Sequence, residues 1–441
     1  MSETRQPLRP FLTALLTVGA IGFGGGPALI PVVEKELVTR RGLLSRERFT
    51  THAVIANITP GAVPVKLGAL AGASLGRVRA AVLGALAVAL PGALATVALL
   101  ATFAAVGPGA IRFVEYTAVG ISAFIMVLMG NYIAKTLKVA GRRLWVFVAV
   151  MAVSFAVTGL NKFIRLLGWL VGAELHPALP EVGALGLIVG AIVLIGVYTL
   201  VRPGQKHSAP DPVVASGGRV MWVSAAWCGG LVVAALVLAW VFAGFTGLQF
   251  IGLTTGSTLS SFGGGAAYIG VADGFFVHGA QLVTPTEFYG QIVPVANAMP
   301  GPILVKIAAG LGYSYGLSQG GVALAVLFSV LALTAAVASC SGVALLVLGG
   351  YDRFAHSVFL RRLGFYIMPV ICGLLLTTSC AMVLENVSIG ARAGVPGAWL
   401  AWGTLLGVAV LVALQRLFNL GDLALLAIGG VTSLALLATL A

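Results

Sequence analysis

Two stretches of this chain, 240 positions apart, interrupt apolar sequence in the same way. Asn57-Ile-Thr-Pro60-Gly61 leads on to Lys66, and Asn297-Ala-Met-Pro300-Gly301 leads on to Lys306. Upstream of each lies a second matching break, 239 positions apart: Gly22-Phe23-Gly24-Gly25-Gly26-Pro27 and Ser261-Phe262-Gly263-Gly264-Gly265-Ala266. Proline lacks an N–H and glycine loses backbone entropy on ordering, so each break interrupts a helix. At membrane depth, interrupted backbone survives only where protein or a watery cavity satisfies its polar groups. A lysine there adds about 2.5–3.5 kcal/mol to the cost of insertion. Two such costs at equivalent places imply a duplicated chain with a binding site at its centre.

The membrane setting follows from composition. The chain has 441 residues, of which 59% are hydrophobic and only 9% charged, with a mean hydropathy of +1.06. These values define an integral membrane protein, and 59 glycines suit close helix packing. A net charge of +13 would also fit a nucleic-acid partner. The basic residues, however, sit in short clusters between apolar runs, as cytoplasmic loops do, so no nucleic-acid partner is expected. Cys228, Cys340, Cys372 and Cys380 lie in apolar stretches without metal-ligand spacing and read as buried small hydrophobes. No cleavable signal is expected, because no small-residue cleavage site precedes the first charged loop. No Ser-His-Asp order, metal cluster or P-loop is present, and Gly22–Pro27 lacks both the GK[ST] ending and the preceding strand. The chain is therefore read as a non-enzyme with no catalytic residue, metal or cofactor.

Taken in order, residues 11–33 divide at the first break into pieces shorter than the roughly 20 residues a span needs. A charged loop, 34–48, and a second broken segment, 49–76, follow. Spans are predicted at 80–106, 113–133, 144–160 and 183–201, with an interfacial helix within 161–182. A further span at 220–246 leads into a second half with the same plan and spans at 321–348, 364–384, 396–414 and 421–440. The predicted fold is an all-α polytopic membrane protein. It has two inverted-topology repeats, about nine spanning helices and four re-entrant helical hairpins. Its parts are an N-terminal repeat (1–201), a cytoplasmic linker with an inverting transmembrane helix (202–246) and a C-terminal repeat (247–441).

Charge decides between re-entrant and crossing broken segments. If they re-enter, 20 of the 26 Lys and Arg face the cytoplasm. If they cross, the five basic residues of loop 34–48 move outside and the split falls to 15 against 9. The counterpart loop, 273–287, holds Asp273 and Glu287 and no Lys or Arg, as inversion requires. The N-terminus is then cytoplasmic and the C-terminus outside, in the plasma or inner membrane.

On Phe23-Gly-Gly-Gly-Pro27 and Pro300-Gly301-Pro302, with Arg40-Arg41 and the acidic-aromatic entries Glu47/Phe49 and Glu287/Phe288, the chain resembles the chromate ion transporter (CHR) family, long two-domain type. The likeness covers nearly the whole chain. It implies membrane transport of chromate or a similar oxyanion, commonly conferring chromate resistance by efflux. Pro60-Gly61-Ala62 stands where the family usually has Pro-Gly-Pro, and Lys66 and Lys306 stand where many members have a polar amide. The added fixed charge favours anions, with sulfate-like species open beside chromate.

The candidate substrate-binding set is Lys66, Lys306, Gly24, Gly25, Gly26, Gly263, Gly264, Gly265, Asn57, Asn297, Pro60, Gly61, Pro300 and Gly301. Half-helix N-termini would present N–H groups and positive dipole ends to the anion, and the lysines its countercharge. The alternative for the lysines is snorkelling or pairing with a carboxylate. Asn57 and Asn297 are placed to cap the broken backbone. Thr59 has no hydroxyl counterpart, since Met299 replaces it, and His52 reads more simply as a packing histidine than as a proton carrier. Glu115, Glu385 and Asp422 fall at predicted span ends, where solvated charge is the normal outcome. The expected partners are a small inorganic oxyanion such as chromate or sulfate and the lipid bilayer, with a homodimer left open. Against a secondary active transporter stands a passive anion channel or a lipid-phosphate flippase on the same architecture.

Overall fold

The computed structural model describes residues 8–440 apart from 23–28, 107, 174, 176, 203–217, 263–264 and 351–357. Among the described residues all regular structure is helical. Eight helices are long and apolar enough to cross a membrane. They are α5 (Val78–Val106), α6 (Pro108–Ala140), α7 (Leu144–Val171), α9 (Gly218–Ser260), α13 (Val322–Gly349), α14 (Val358–Arg392), α15 (Gly397–Phe418) and α16 (Asp422–Leu440). The ninth predicted span, α8 (Ala184–Val201), is 18 residues long and falls among the shorter apolar helices. The chain is an all-α polytopic membrane protein, and apolar side chains such as Leu194, Trp240, Phe245, Leu406 and Val431 are exposed where lipid would cover them.

Short helices surround the breaks. In the first half they are α1 (Leu8–Ile21), α2 (Ile30–Glu34, continued by a π-helical turn Lys35–Arg40), α3 (Arg46–Ile58) and α4 (Val63–Ser74). In the second half α9 leaves helical geometry at Ala243 and Gly244 (φ +61° at Gly244), which separates a span from a short arm ending at Ser260. Then come α10 (Gly265–Ala272, continued by a π-helical turn Asp273–Val277) and α11, residues 285–298. The last short helix is α12 (Ile303–Gly320). The turn after each π segment is the same. Leu43 N–H donates to Leu37 O at 2.8 Å, and Leu282 N–H donates to Phe276 O at 2.9 Å. A hydroxyl then caps the next helix: Ser45 accepts from Arg48 N–H, and Thr284 forms a reciprocal box with Glu287.

Two compact units are drawn from both halves of the sequence. One comprises residues 1–97, 191–268 and 299–367; the other comprises 98–190, 269–298 and 368–441. In the first unit small residues bring helices together. A Cβ on Gly68 or Gly72 would meet Gly84 O at 2.6 Å or Ala80 O at 2.1 Å. On the partner pair, Gly312 and Gly316 lie as close to Phe328 O and Leu324 O. Phe250 stacks on Tyr315 with ring centroids 4.3 Å apart, and Phe328 closes the cluster edge-on. In the second unit Gly120 and Gly429 let α6 and α16 touch, and Ser433 Oγ accepts from Gly120 N–H at 3.0 Å.

Several boundaries differ from the sequence expectation. The stretch 161–171, expected in a separate interfacial helix, continues α7 until Gly172 (φ +73°) ends it in the left-handed conformation. Two-thirds of the expected loop 34–48 is helical, and Glu36 and Arg40 form an i,i+4 pair at 2.7 Å along the π turn that ends at Arg40. α14 runs to Arg392 rather than residue 384. Glu385 therefore lies two turns inside the helix, buried, rather than solvated at its end.

Candidate functional site

The two Pro-Gly breaks between the short helices share one geometry. Gly61 has φ +97° and Gly301 has φ +98°, values that an L side chain rarely tolerates. Each glycine turns the chain from a helix end into the start of the next, α3 to α4 and α11 to α12. No side chain caps either new N-terminus, at Ala62 or at Pro302. The first-turn N–H groups and the positive end of the dipole are therefore not taken up by a side-chain cap.

The breaks are bonded across the two sequence halves. Gly61 N–H donates to Ser261 O at 2.7 Å, and Gly301 N–H donates to Gly22 O at 2.6 Å. Ser261 and Gly22 are the first residues of the two matching Gly-rich breaks. Each half thus lends the carbonyl of its first break to the Pro-Gly turn of the other. Close packing enforces the joint. A Cβ on Gly61 would lie 2.2 Å from Cys340 Cβ, and one on Gly301 would lie 3.1 Å from Gly19 O and 3.4 Å from Gly92 Cα.

The two lysines sit one turn into α4 and α12. Their side chains are 0% and 1% exposed. Lys66 Nζ donates to Thr59 O and Lys306 Nζ donates to Met299 O, at 2.5 Å in both cases. Thr59 and Met299 are equivalent through their main chains, so side-chain identity does not matter to this bond. Among the described residues neither lysine forms an ion pair, which removes carboxylate pairing as the account of their burial. A lysine carries three donors, so one carbonyl leaves two for another acceptor. The surroundings of the lysines are unequal. Near the first Pro-Gly turn the hydroxyl of Ser261 is buried without a hydrogen-bond partner among the described residues, whereas Gly92 lies against the Lys306 stem.

Of the other sequence-predicted residues, Gly265 packs at the head of α12, where its Cβ would lie 2.6 Å from Ile303 Cβ. Gly24, Gly25, Gly26, Gly263 and Gly264 lie outside the described residues. Asn57 and Asn297 do not cap the breaks. Each amide donates back into its own helix at 2.8 Å, to Ala53 O and Val293 O, and Asn57 is exposed whereas Asn297 is buried. His52 is buried and meets Ser74 Oγ at 3.0 Å through Nε2.

Eight helices long and apolar enough to cross a membrane, beside short helices that break ahead of two buried lysines with no ion pair among the described residues, fit a membrane transporter. The chain belongs to the chromate transporter family, whose model matches it twice, at residues 10–174 and 248–434. It is 28% identical over 201 residues to the uncharacterized transporter YwrB of Bacillus subtilis, covering 45% of this chain and 82% of that protein. It is 38% identical over 63 residues to the uncharacterized transporter YwrA of the same organism, covering 14% of this chain and 35% of that protein. No solved structure matches the chain.

Proposed function

We propose that this protein is a secondary active transporter that exports a small oxyanion, chromate or a sulfate-like dianion, by alternating access between two inverted halves. The observation that carries the reading is the pair of buried lysines without carboxylate partners, one from each half, beside uncapped helix N-termini. A tetrahedral oxyanion must shed much of its water to cross a membrane. Each helix N-terminus supplies the equivalent of about half a positive charge, too little alone for a dianion. Two lysines match it in charge, and their unspent donors replace its lost water. The reciprocal bonds from Gly61 to Ser261 and from Gly301 to Gly22 tie the halves at the breaks. Movement about that joint would expose the anion to each side in turn.

The halves are taken as 1–201 and 247–441, joined by 202–246. The charge count supports an N-terminus in the cytoplasm and a C-terminus outside. The twofold family match and the equal geometry of the two Pro-Gly turns support the duplication. The test is counterflow in proteoliposomes of the purified full-length chain. Internal unlabelled chromate or sulfate should drive transient uphill uptake of the labelled anion. Flux without counterflow would identify a channel, and uptake abolished by lipid phosphates would identify a flippase; either result refutes the transporter reading.

A further inference from the structure

The second compact unit holds an apolar groove of about 330 Å³. The end of α5 (Phe103), the first turns of α6 (Phe113, Val114, Thr117 and Ile121) and the last turn of α11 (Ala298) line it. Among the described residues Thr117 is the one polar side chain in its wall, and that hydroxyl donates to Phe113 O at 2.8 Å. The wall therefore offers an oxyanion no free donor. Water finds too few partners there, and apolar cavities of this kind stay dry and take apolar guests. Phe113 is 59% exposed at the rim, and Phe103 and Val114 are half-buried, so the groove opens sideways, where lipid covers a membrane protein.

Its dimensions select the guest. Phe113 and Ile121 are eight residues apart on α6, so the groove follows that helix for about 12 Å. One leaflet of the hydrocarbon core is ~15 Å deep. Spread over that length, 330 Å³ leaves a mean width of roughly 6 Å, whereas a helix with its side chains measures about 10–12 Å across. The slot fits a single hydrocarbon chain and is too narrow for a helix of a second copy. It also begins beside a charge. Arg112, the residue before Phe113, is exposed and starts the part of α6 that is apolar enough to span. Arg112 forms no ion pair among the described residues, and Glu115, the nearest acid on its helix, pairs with Arg392 at 3.3 Å. An exposed guanidinium where a span meets the interface suits a phosphate.

We propose that this groove binds one acyl chain of an anionic phospholipid, whose phosphate is held at Arg112. The chain lies along α6 from Phe113 to Ile121 and rests against Ala298 at the end of α11. The next residue, Met299, gives its carbonyl to Lys306 Nζ. A seated chain supplies the contacts that an empty groove denies to the end of α11, and so steadies the turn that follows. This inference does not rest on the transporter reading.

The experiment is native mass spectrometry of the full-length protein in detergent, titrated with phosphatidylglycerol or with phosphatidylcholine, beside thermal unfolding in the same mixtures. Wild type should retain one phosphatidylglycerol at least tenfold more tightly than phosphatidylcholine, and its unfolding midpoint should rise on binding. Val114→Trp fills the groove from α6 and should weaken phosphatidylglycerol at least tenfold and abolish the rise. Ala298→Phe fills it from α11 and should do the same, which separates a filled groove from a damaged α6. Arg112→Gln should keep the chain but remove the preference for phosphatidylglycerol. Wild-type retention of the lipid in both filled variants would overturn the site. Equal binding of the two lipids by wild type, or an unchanged preference in Arg112→Gln, would overturn the phosphate contact and the proposal with it. A wild-type dimer that both filled variants dissociate would assign the groove to a second copy and overturn the proposal as well.

Discussion

Replacing Gly61 by alanine should damage this protein more than the equivalent change at Gly301, although the two residues have almost identical φ. At both sites an L side chain must occupy a left-handed conformation, at a cost of about 1–3 kcal/mol. Only at Gly61 does the new Cβ fall 2.2 Å from another side-chain carbon, Cys340 Cβ, on a buried helix. Forcing an extra methyl group into such a core costs a further ~1–3 kcal/mol. At Gly301 the nearest atom is a carbonyl oxygen at 3.1 Å, which a shift of a few tenths of an ångström relieves. The expected penalties are about 2–6 kcal/mol for Gly61→Ala and about 1–3 kcal/mol for Gly301→Ala. Adding Cys340→Gly removes the clashing carbon and should return part of the Gly61→Ala loss, less about 1 kcal/mol for a glycine inside a helix. The assay is the thermal unfolding midpoint of purified protein in detergent. The predicted order is wild type, Gly301→Ala, then Gly61→Ala, with the double variant above Gly61→Ala. Equal midpoints for the two alanine variants, or no recovery in the double variant, would refute the packing at the first turn.

Two further outcomes follow from the same geometry. In a background without the four native cysteines, cysteines at the exposed positions Glu47 and Pro285 should label oppositely with an impermeant maleimide in intact cells, with only Pro285→Cys reacting; external labelling of both would mean that the broken segments cross. Asn297→Leu should lower stability by about 1–3 kcal/mol because the amide is buried and bonded, whereas Asn57→Leu at the exposed site should stay within about 0.5 kcal/mol, as denaturation of the two variants side by side will measure.

The two Pro-Gly breaks and eight of the nine predicted spans were legible in the sequence because Pro, Gly and long apolar runs act locally. Lys66 and Lys306 were legible for the same reason, as charges in apolar surroundings at one spacing. The bonds that join the breaks were not. Gly61 to Ser261 and Gly301 to Gly22 are main-chain contacts between distant segments, and no side-chain pattern encodes them. The same blindness made Thr59 and Met299 look inequivalent, although their carbonyls do the same work. Asn57 and Asn297 were misread as caps, because an amide near a helix end can bond either forward to the break or back into its own helix. Glu385 was placed at a solvated end because apolar periodicity fades before the helix does. The partners Thr286, Ser388 and Arg392 keep it inside.

The central claim is that both lysines hold one anion. Calorimetric titration of chromate and of sulfate into purified wild type, Lys66→Met, Lys306→Met and the double variant tests it most directly. The account predicts that each single change weakens binding at least tenfold. It also predicts that the double change costs less than the sum of the two, because both act on one ligand. Unchanged affinity in both single variants, with folding intact, would contradict it and leave the lysines as purely structural donors to Thr59 and Met299.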